Sequence, residues 1–216
     1  MANAATWFVD RHLEEGRGDK VAFREASRAK RSLTYGELAA RSDQVAGAFG
    51  RAGIGREARA AMFVLDQIEF PQIFWGALKA GVVPVPVNTL LVTDVYASIL
   101  QDSRAVIVFV SEALVPVIMP AIAASDHVNQ VVVIGGAPEG TVDFDTFIDG
   151  AEPAGAIDCF GDEVAFWLYS SGSTGAPKGA RHVHDAMKTT CDTYAAQVLG
   201  IEETDTVYSA AKLFFA

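Results

Sequence analysis

The chain has 216 residues, half of them apolar and a fifth charged, which excludes a disordered polymer and leaves room for roughly one and a half domains of about 150 residues. Lys and Arg number 17 and Asp and Glu 27, a net charge of −10. A field of that sign repels nucleic-acid phosphates and anionic lipid, so neither nucleic acid nor membrane is expected as a partner. Two cysteines, Cys159 and Cys191, are too few for a disulfide framework. Residues 1–18 carry Asp10, Glu14 and Glu15 and no apolar signal-peptide core, and no apolar run reaches the roughly 18 residues of a spanning helix. A cytoplasmic protein is the expectation.

Strand-like and helix-like segments alternate along the chain. Val21–Arg24 reads as a short strand, and the charged stretch Arg24–Arg31 as a hairpin tip. Thr34 and Glu37 form a capping-box pattern, after which Leu38, Val45, Ala48 and Phe49 recur at helical spacing and Gly53 offers a C-cap. Ala60–Leu65 reads as a buried strand, Ile68–Ala80 as a helix closed by Gly81, and Val82–Val87 as an extended edge or crossing segment because of its prolines. A helix from Thr93 to about Asp102 leads to a strand at Ala105–Val110. Ser111 then caps a helix that Pro116 and Pro120 are expected to interrupt, and Val131–Ile134 is a further strand. Residues 135–160, rich in Gly, Pro and Asp, read as surface excursions. Val164–Tyr169 is a last strong strand, followed by a Ser/Gly loop at 170–180 and a helix from about His184 to Leu199. This order predicts an α/β fold with a largely parallel sheet flanked by helices.

The loop carries the chemistry. In Tyr169-Ser-Ser-Gly-Ser-Thr-Gly-Ala-Pro-Lys-Gly179, the glycines Gly172, Gly175 and Gly179 let backbone amides approach an anion closely. Ser170, Ser171, Ser173 and Thr174 add neutral donors, Lys178 adds one positive charge, and Pro177 stiffens the approach to it. Such a set suits the phosphates of a nucleotide, and Thr174 or Ser173 could face a magnesium ion. The spacing departs from a Walker A loop: five residues after Gly172 stands Pro177, and Gly179 follows Lys178 where Ser or Thr is needed. Neither the G-x-G-x-x-G fingerprint nor the G-x-S-x-G nucleophile elbow is present. His12, His127, His182, His184 and the two cysteines show no metal-ligand spacing, and the two histidines after the loop read as packing residues, with His184 a candidate to shape the loop by hydrogen bonding. Arg181 reads as a surface arginine, and Trp75 and Trp167 as core.

The motif resembles the phosphate-binding loop of the acyl-adenylate-forming enzymes, which comprise acyl- and aryl-CoA ligases, luciferases and peptide-synthetase adenylation domains. The resemblance extends over nearly the whole chain, through Leu33–Leu38, Glu69–Pro71, Phe74–Gly81 and Pro84–Asn88. Asn88–Leu91, Asp102–Ala105 and Ser209–Ala216 are most similar to the benzoate–CoA ligase branch. The resemblance implies a two-step reaction: an aryl carboxylate attacks ATP to give an acyl-adenylate and pyrophosphate, and the thiol of coenzyme A then displaces AMP. It assigns Ser170, Ser171, Gly172, Ser173, Thr174, Gly175 and Lys178 to the ATP phosphates, Thr174 to magnesium, and Phe215 and Ala216 to a gate over the acyl pocket.

Relatives are more than twice this long, so the resemblance also implies an N-terminal part of the large domain. About 1–160 would be a first subdomain, and 161–216 the phosphate-loop strand, loop and helix with the start of the next strand. The C-terminal domain and the adenylation lysine would lie downstream, leaving no catalytic residue here and the chain alone inactive. A homodimer is among the assemblies this reading allows. Two other readings stand beside it: a non-catalytic nucleotide- or partner-binding module, and a serine hydrolase of the amidase type, which the Pro177-Lys178-Gly179 ending argues against.

Overall fold

The computed structural model describes residues 2–27, 29–171 and 177–215, with Ser171 described in its backbone only. A π-helical turn at Thr6–Asp10 runs into α1 (Arg11–Glu14), and β1 (Val21–Arg24) and β2 (Ser32–Thr34) form an antiparallel hairpin. α2 (Tyr35–Arg51) starts with the capping box: Glu37 N donates to Thr34 Oγ1 at 3.2 Å, and Thr34 N donates to Glu37 Oε2 at 2.8 Å. β3 (Arg59–Phe63) and α3 (Glu69–Ala80) follow. Gly81, at φ 71°, ends α3, with Val82 N donating to Ala77 O and Gly81 N to Leu78 O, a Schellman closure that needs the left-handed residue.

β4 (Val83–Pro86), α4 (Thr93–Ser103), β5 (Ile107–Ser111), α5 (Val115–Ala123), β6 (Gln130–Ile134), β7 (Val142–Asp143) and α6 (Phe144–Ile148) complete a five-stranded parallel sheet of order β4-β3-β5-β6-β7. The prolines of β4 are tolerated because that strand lies at the end of this order. Helices cover both faces. Phe49, Ile73, Phe109, Phe144 and Phe147 fill one side and Tyr96, Ile99, Ile118 and Ile122 the other. β5 is buried along its whole length, which explains its unbroken apolar run.

Several expectations are corrected. Pro116 and Pro120 do not interrupt α5: Pro116 lies in the first turn, where a missing amide costs no ladder bond, and Pro120 is accommodated inside. Ser111 does not cap a helix with its side chain; its hydroxyl accepts from Leu65 N at 3.0 Å and donates to Gln67 Oε1 at 3.3 Å. Residues 135–160 are more than surface excursions. Asp143 caps α6 by accepting from the Asp145 and Thr146 amides, and Phe144, Phe147 and Ile148 point into the core at i, i+3, i+4 spacing.

β8 (Val164–Ser171) and β9 (Pro177–Val183) form an antiparallel hairpin, and α7 (His184–Thr190) begins directly after it. Strand, loop and helix were expected; the extra strand was hidden because β9 is mostly exposed and carries no apolar alternation. The expected helix to Leu199 passes from α7 into a π-helical turn at Cys191–Ala195. Between Gly200 and Phe215 the described residues form neither helix nor strand, so the expected start of a next strand does not appear.

Candidate functional site

β8 carries the loop at its end, and its alternating side chains explain how it is held. Phe166 and Leu168 join a cluster with Leu78 and Ala165, whereas Trp167 and Tyr169 pack against the cluster built on α4 and α5. The strand is thus wedged between two apolar groups, with Phe74 meeting Phe166 edge to face at 5.4 Å. β9 returns in a register that sets Ser170 opposite Lys178 and Tyr169 opposite Gly179. A cross-strand pair shares one face of a hairpin, so Ser170 and Lys178 are neighbours, both exposed, at the stem of the loop. Among the described residues Lys178 has no ion pair, so its charge is available to an anion.

Gly179 sits close to two aromatic rings. A Cβ there would lie 3.1 Å from Tyr169 Cζ and 3.3 Å from Trp167 Cε3. Gly172, Ser173, Thr174 and Gly175, with the side chain of Ser171, lie outside the described residues, as does Ala216. The magnesium expectation rests on Thr174 and falls there too. Among the described residues no group of three His, Cys, Asp or Glu side chains could hold a metal ion.

His182 and His184 are packing residues, but not in the expected way. His182 stacks on Phe166, the rings 4.6 Å apart and inclined by 5°. Among the described residues His184 makes no hydrogen bond to the loop: its Nδ1 accepts from Ala4 N at 3.1 Å, tying residue 4 to the base of α7. Burial holds the His184 imidazole below its ordinary pKa, against the pull of Glu163 and Asp185. Arg181 is exposed, as a surface arginine should be.

Phe215 lies in a segment fixed beyond the carboxyl end of β3. Lys212 Nζ pairs with Asp66 Oδ2 at 2.9 Å, and Leu213 N donates to Asp66 Oδ1 at 3.0 Å. Phe214 is buried and Phe215, its ring 4.8 Å away, is 55% exposed. The carboxyl ends of parallel strands are where open α/β sheets place ligands, so this segment stands on the correct side of the sheet for a pocket wall. No hydrogen bond or ion pair joins it to Ser170 or Lys178 among the described residues.

One contact escaped the sequence reading. The Tyr169 hydroxyl donates to Asp102 Oδ2 at the end of α4. Burial first, then that hydrogen bond to a carboxylate, raise the Tyr169 phenol well above its ordinary range. Both residues stood inside quoted motifs; the 67-residue separation between them gave no local signal.

A parallel α/β sheet with a Ser/Gly hairpin, an exposed lysine at its stem and a chain segment across the carboxyl edge defines a domain of the CoA-ligase N-terminal type. The chain belongs to the AMP-binding enzymes: a family model of that description matches residues 9–216. It is 43% identical over 99% of its length to a 4-hydroxybenzoate–CoA/benzoate–CoA ligase of Rhodopseudomonas palustris and 42% identical over 99% to a benzoate–CoA ligase of Thauera aromatica. It covers 39% and 40% of those two proteins. Among solved structures it matches a benzoate CoA ligase from Burkholderia xenovorans LB400 with a TM-score of 0.87 at 40% identity, covering 99% of this chain and 41% of that one. It also matches the anthranilate CoA ligase AuaEII, solved with anthranoyl-AMP, with a TM-score of 0.92 at 31% identity, covering 99% and 40%. The chain thus spans about 40% of the length of the curated relatives it matches.

Proposed function

We propose that the full-length gene product activates an aromatic carboxylate, benzoate foremost, and transfers it to coenzyme A. A carboxylate oxygen attacks the α-phosphorus of ATP and pyrophosphate leaves; the CoA sulfur, its proton lost to solvent, then attacks the acyl carbon and AMP leaves. The observation that carries this reading is the β8–β9 hairpin, which sets Ser170 and Lys178 side by side and exposed at the stem of the Ser/Gly loop. Donors fixed on a paired strand can meet a polyphosphate without reorganising, and that favours charge stabilisation over covalent chemistry. The choice of an aromatic acid is supported by the relatives' own names, four of which specify benzoate or hydroxybenzoate.

In this reading Ser170, Ser171, Gly172, Ser173, Thr174, Gly175 and Lys178 hold the ATP phosphates. Magnesium accompanies the nucleotide with Thr174 as a hydroxyl ligand, and Phe215 and Ala216 border the acyl pocket. Residues of about 1–160 act as a first subdomain and 161–216 as the phosphate-loop unit. The reaction takes place in the cytoplasm. Among the described residues no helix is long and apolar enough to cross a membrane.

The test is benzoate-dependent exchange of label between pyrophosphate and ATP by the purified full-length gene product. Exchange that needs an aryl acid supports the assignment. No exchange with benzoate, hydroxybenzoates or aminobenzoates would overturn it and leave phosphate binding without adenylation.

A further inference from the structure

The hairpin that carries Lys178 is tied to the first subdomain by a polar contact whose residues have no role in the reaction as derived above. Tyr169 precedes the Ser/Gly loop, and its hydroxyl donates to Asp102 in the last turn of α4. A carboxylate in that turn faces the negative end of the helix dipole, and none of the last-turn residues of α4 is basic. The end of α4 is itself braced, because Arg59 on β3 donates from Nε to Ser103 O at 2.7 Å. A continuous path therefore runs from the central sheet through Arg59, the α4 terminus and Asp102 to Tyr169. From there the Tyr169 ring bears on Gly179, which it faces across the hairpin, and Gly179 is bonded to Lys178.

We propose that the Tyr169–Asp102 hydrogen bond is a positioning contact, which fixes the stem of the β8–β9 hairpin against α4 and so holds Lys178 where a nucleotide phosphate meets it. The inference rests on the phosphate-binding reading of the loop for its kinetic consequence, and on the hairpin geometry alone for its structural one. Neither residue touches the substrate in this scheme. Tyr169 acts through the hairpin backbone and Asp102 through Tyr169. A Cβ at 179 would crowd the Tyr169 ring at 3.1 Å, so the glycine lets the ring lie against the strand without a shift.

Two readouts on the full-length gene product test the proposal. In steady-state adenylation, Tyr169→Phe and Asp102→Ala should each raise the KM for ATP about tenfold and leave the KM for the aryl acid within about twofold, the sort of change expected when a charge-assisted hydrogen bond is lost. Asp102→Asn, which keeps an acceptor, should recover part of that loss, and Tyr169→Phe combined with Asp102→Ala should be no worse than either alone. In hydrogen–deuterium exchange, the amides of residues 178–181 should exchange faster in Tyr169→Phe while those of β5 stay protected. Unchanged KM values, equal rises for ATP and acid, additive effects, or unaltered exchange in β9 would each overturn the inference. An unmodified protein without adenylation activity would sink the ligase reading instead, and the exchange measurement would still decide whether the tether exists.

Discussion

Lys79 is a cation with no exposed side-chain surface, held between Asp10 and Asp43 with both N–O distances at 2.6 Å. Nothing in the apolar run around it announces a buried charge, because its two partners lie 69 and 36 residues away. Removing the cation would leave two carboxylates facing a cavity, so Lys79→Ala should cost about 3–5 kcal/mol in urea unfolding. Lys79→Met, which refills the volume, should cost visibly less. His184 gives a pH dependence. Its imidazole is neutral and accepts the Ala4 amide, and its pKa is depressed by burial, so the unfolded chain takes up a proton first. Stability from this contact is fully present above about pH 6.5 and is lost as pH falls below it. A melting-temperature profile from pH 8 to pH 5 should fall more steeply for the unmodified protein than for His184→Gln. Lys178→Ala, at the stem of the loop, should raise the KM for ATP ten- to a hundredfold in pyrophosphate exchange, the range for a hydrogen bond to a charged group. Ser170 and Lys178 were legible because their motif is contiguous. Asp102, Asp10 and Asp43 were not, since their partners are set by topology.

At the level of elements, α2 shows how differently two glycines of one helix behave. A Cβ on Gly47 would lie 1.9 Å from Glu152 O, whereas one on Gly50 meets nothing within 4 Å. Gly47→Ala should therefore destabilise by about 1–3 kcal/mol through overpacking. Gly50→Ala should stabilise by about 0.5–1 kcal/mol through its better helix propensity. Chemical denaturation of the two variants checks the contrast, and equal effects would mean that the 152 segment does not pack on α2. The central strands and α2 to α4 were readable because apolar runs, a capping box and a left-handed glycine each encode an element locally. β7, α6 and β9 were not. A two-residue strand has no period, the Phe144–Ile148 pattern is short and embedded in loop-like composition, and β9 is held by backbone pairing with little burial.

Across the whole molecule, protection is distributed unevenly. The five parallel strands are enclosed by helices on both faces, whereas Val198, Leu199, Val207 and Tyr208 expose apolar side chains and residues 201–215 make few backbone hydrogen bonds. Brief proteolysis of the 216-residue chain should therefore cut within 198–212 before it cuts between residues 35 and 148. Early cleavage in the sheet region would show that the sheet does not fold without further chain. The sheet's parallel order followed from the alternation of elements, but the closure of the molecule did not, because it depends on the first few residues. Asn3 Nδ2 donates to Leu78 O and Ile157 O, and the Ala4 amide to His184. Those partners lie 75, 154 and 180 residues further on. At a ribosomal pace of about 5–20 residues per second, the opening segment must wait roughly 10–40 s for its last partner to be synthesised. Residues 3 and 4 are thus made well before they can be seated, and a nascent-chain crosslink between positions 4 and 184 should form only after α7 has left the ribosome.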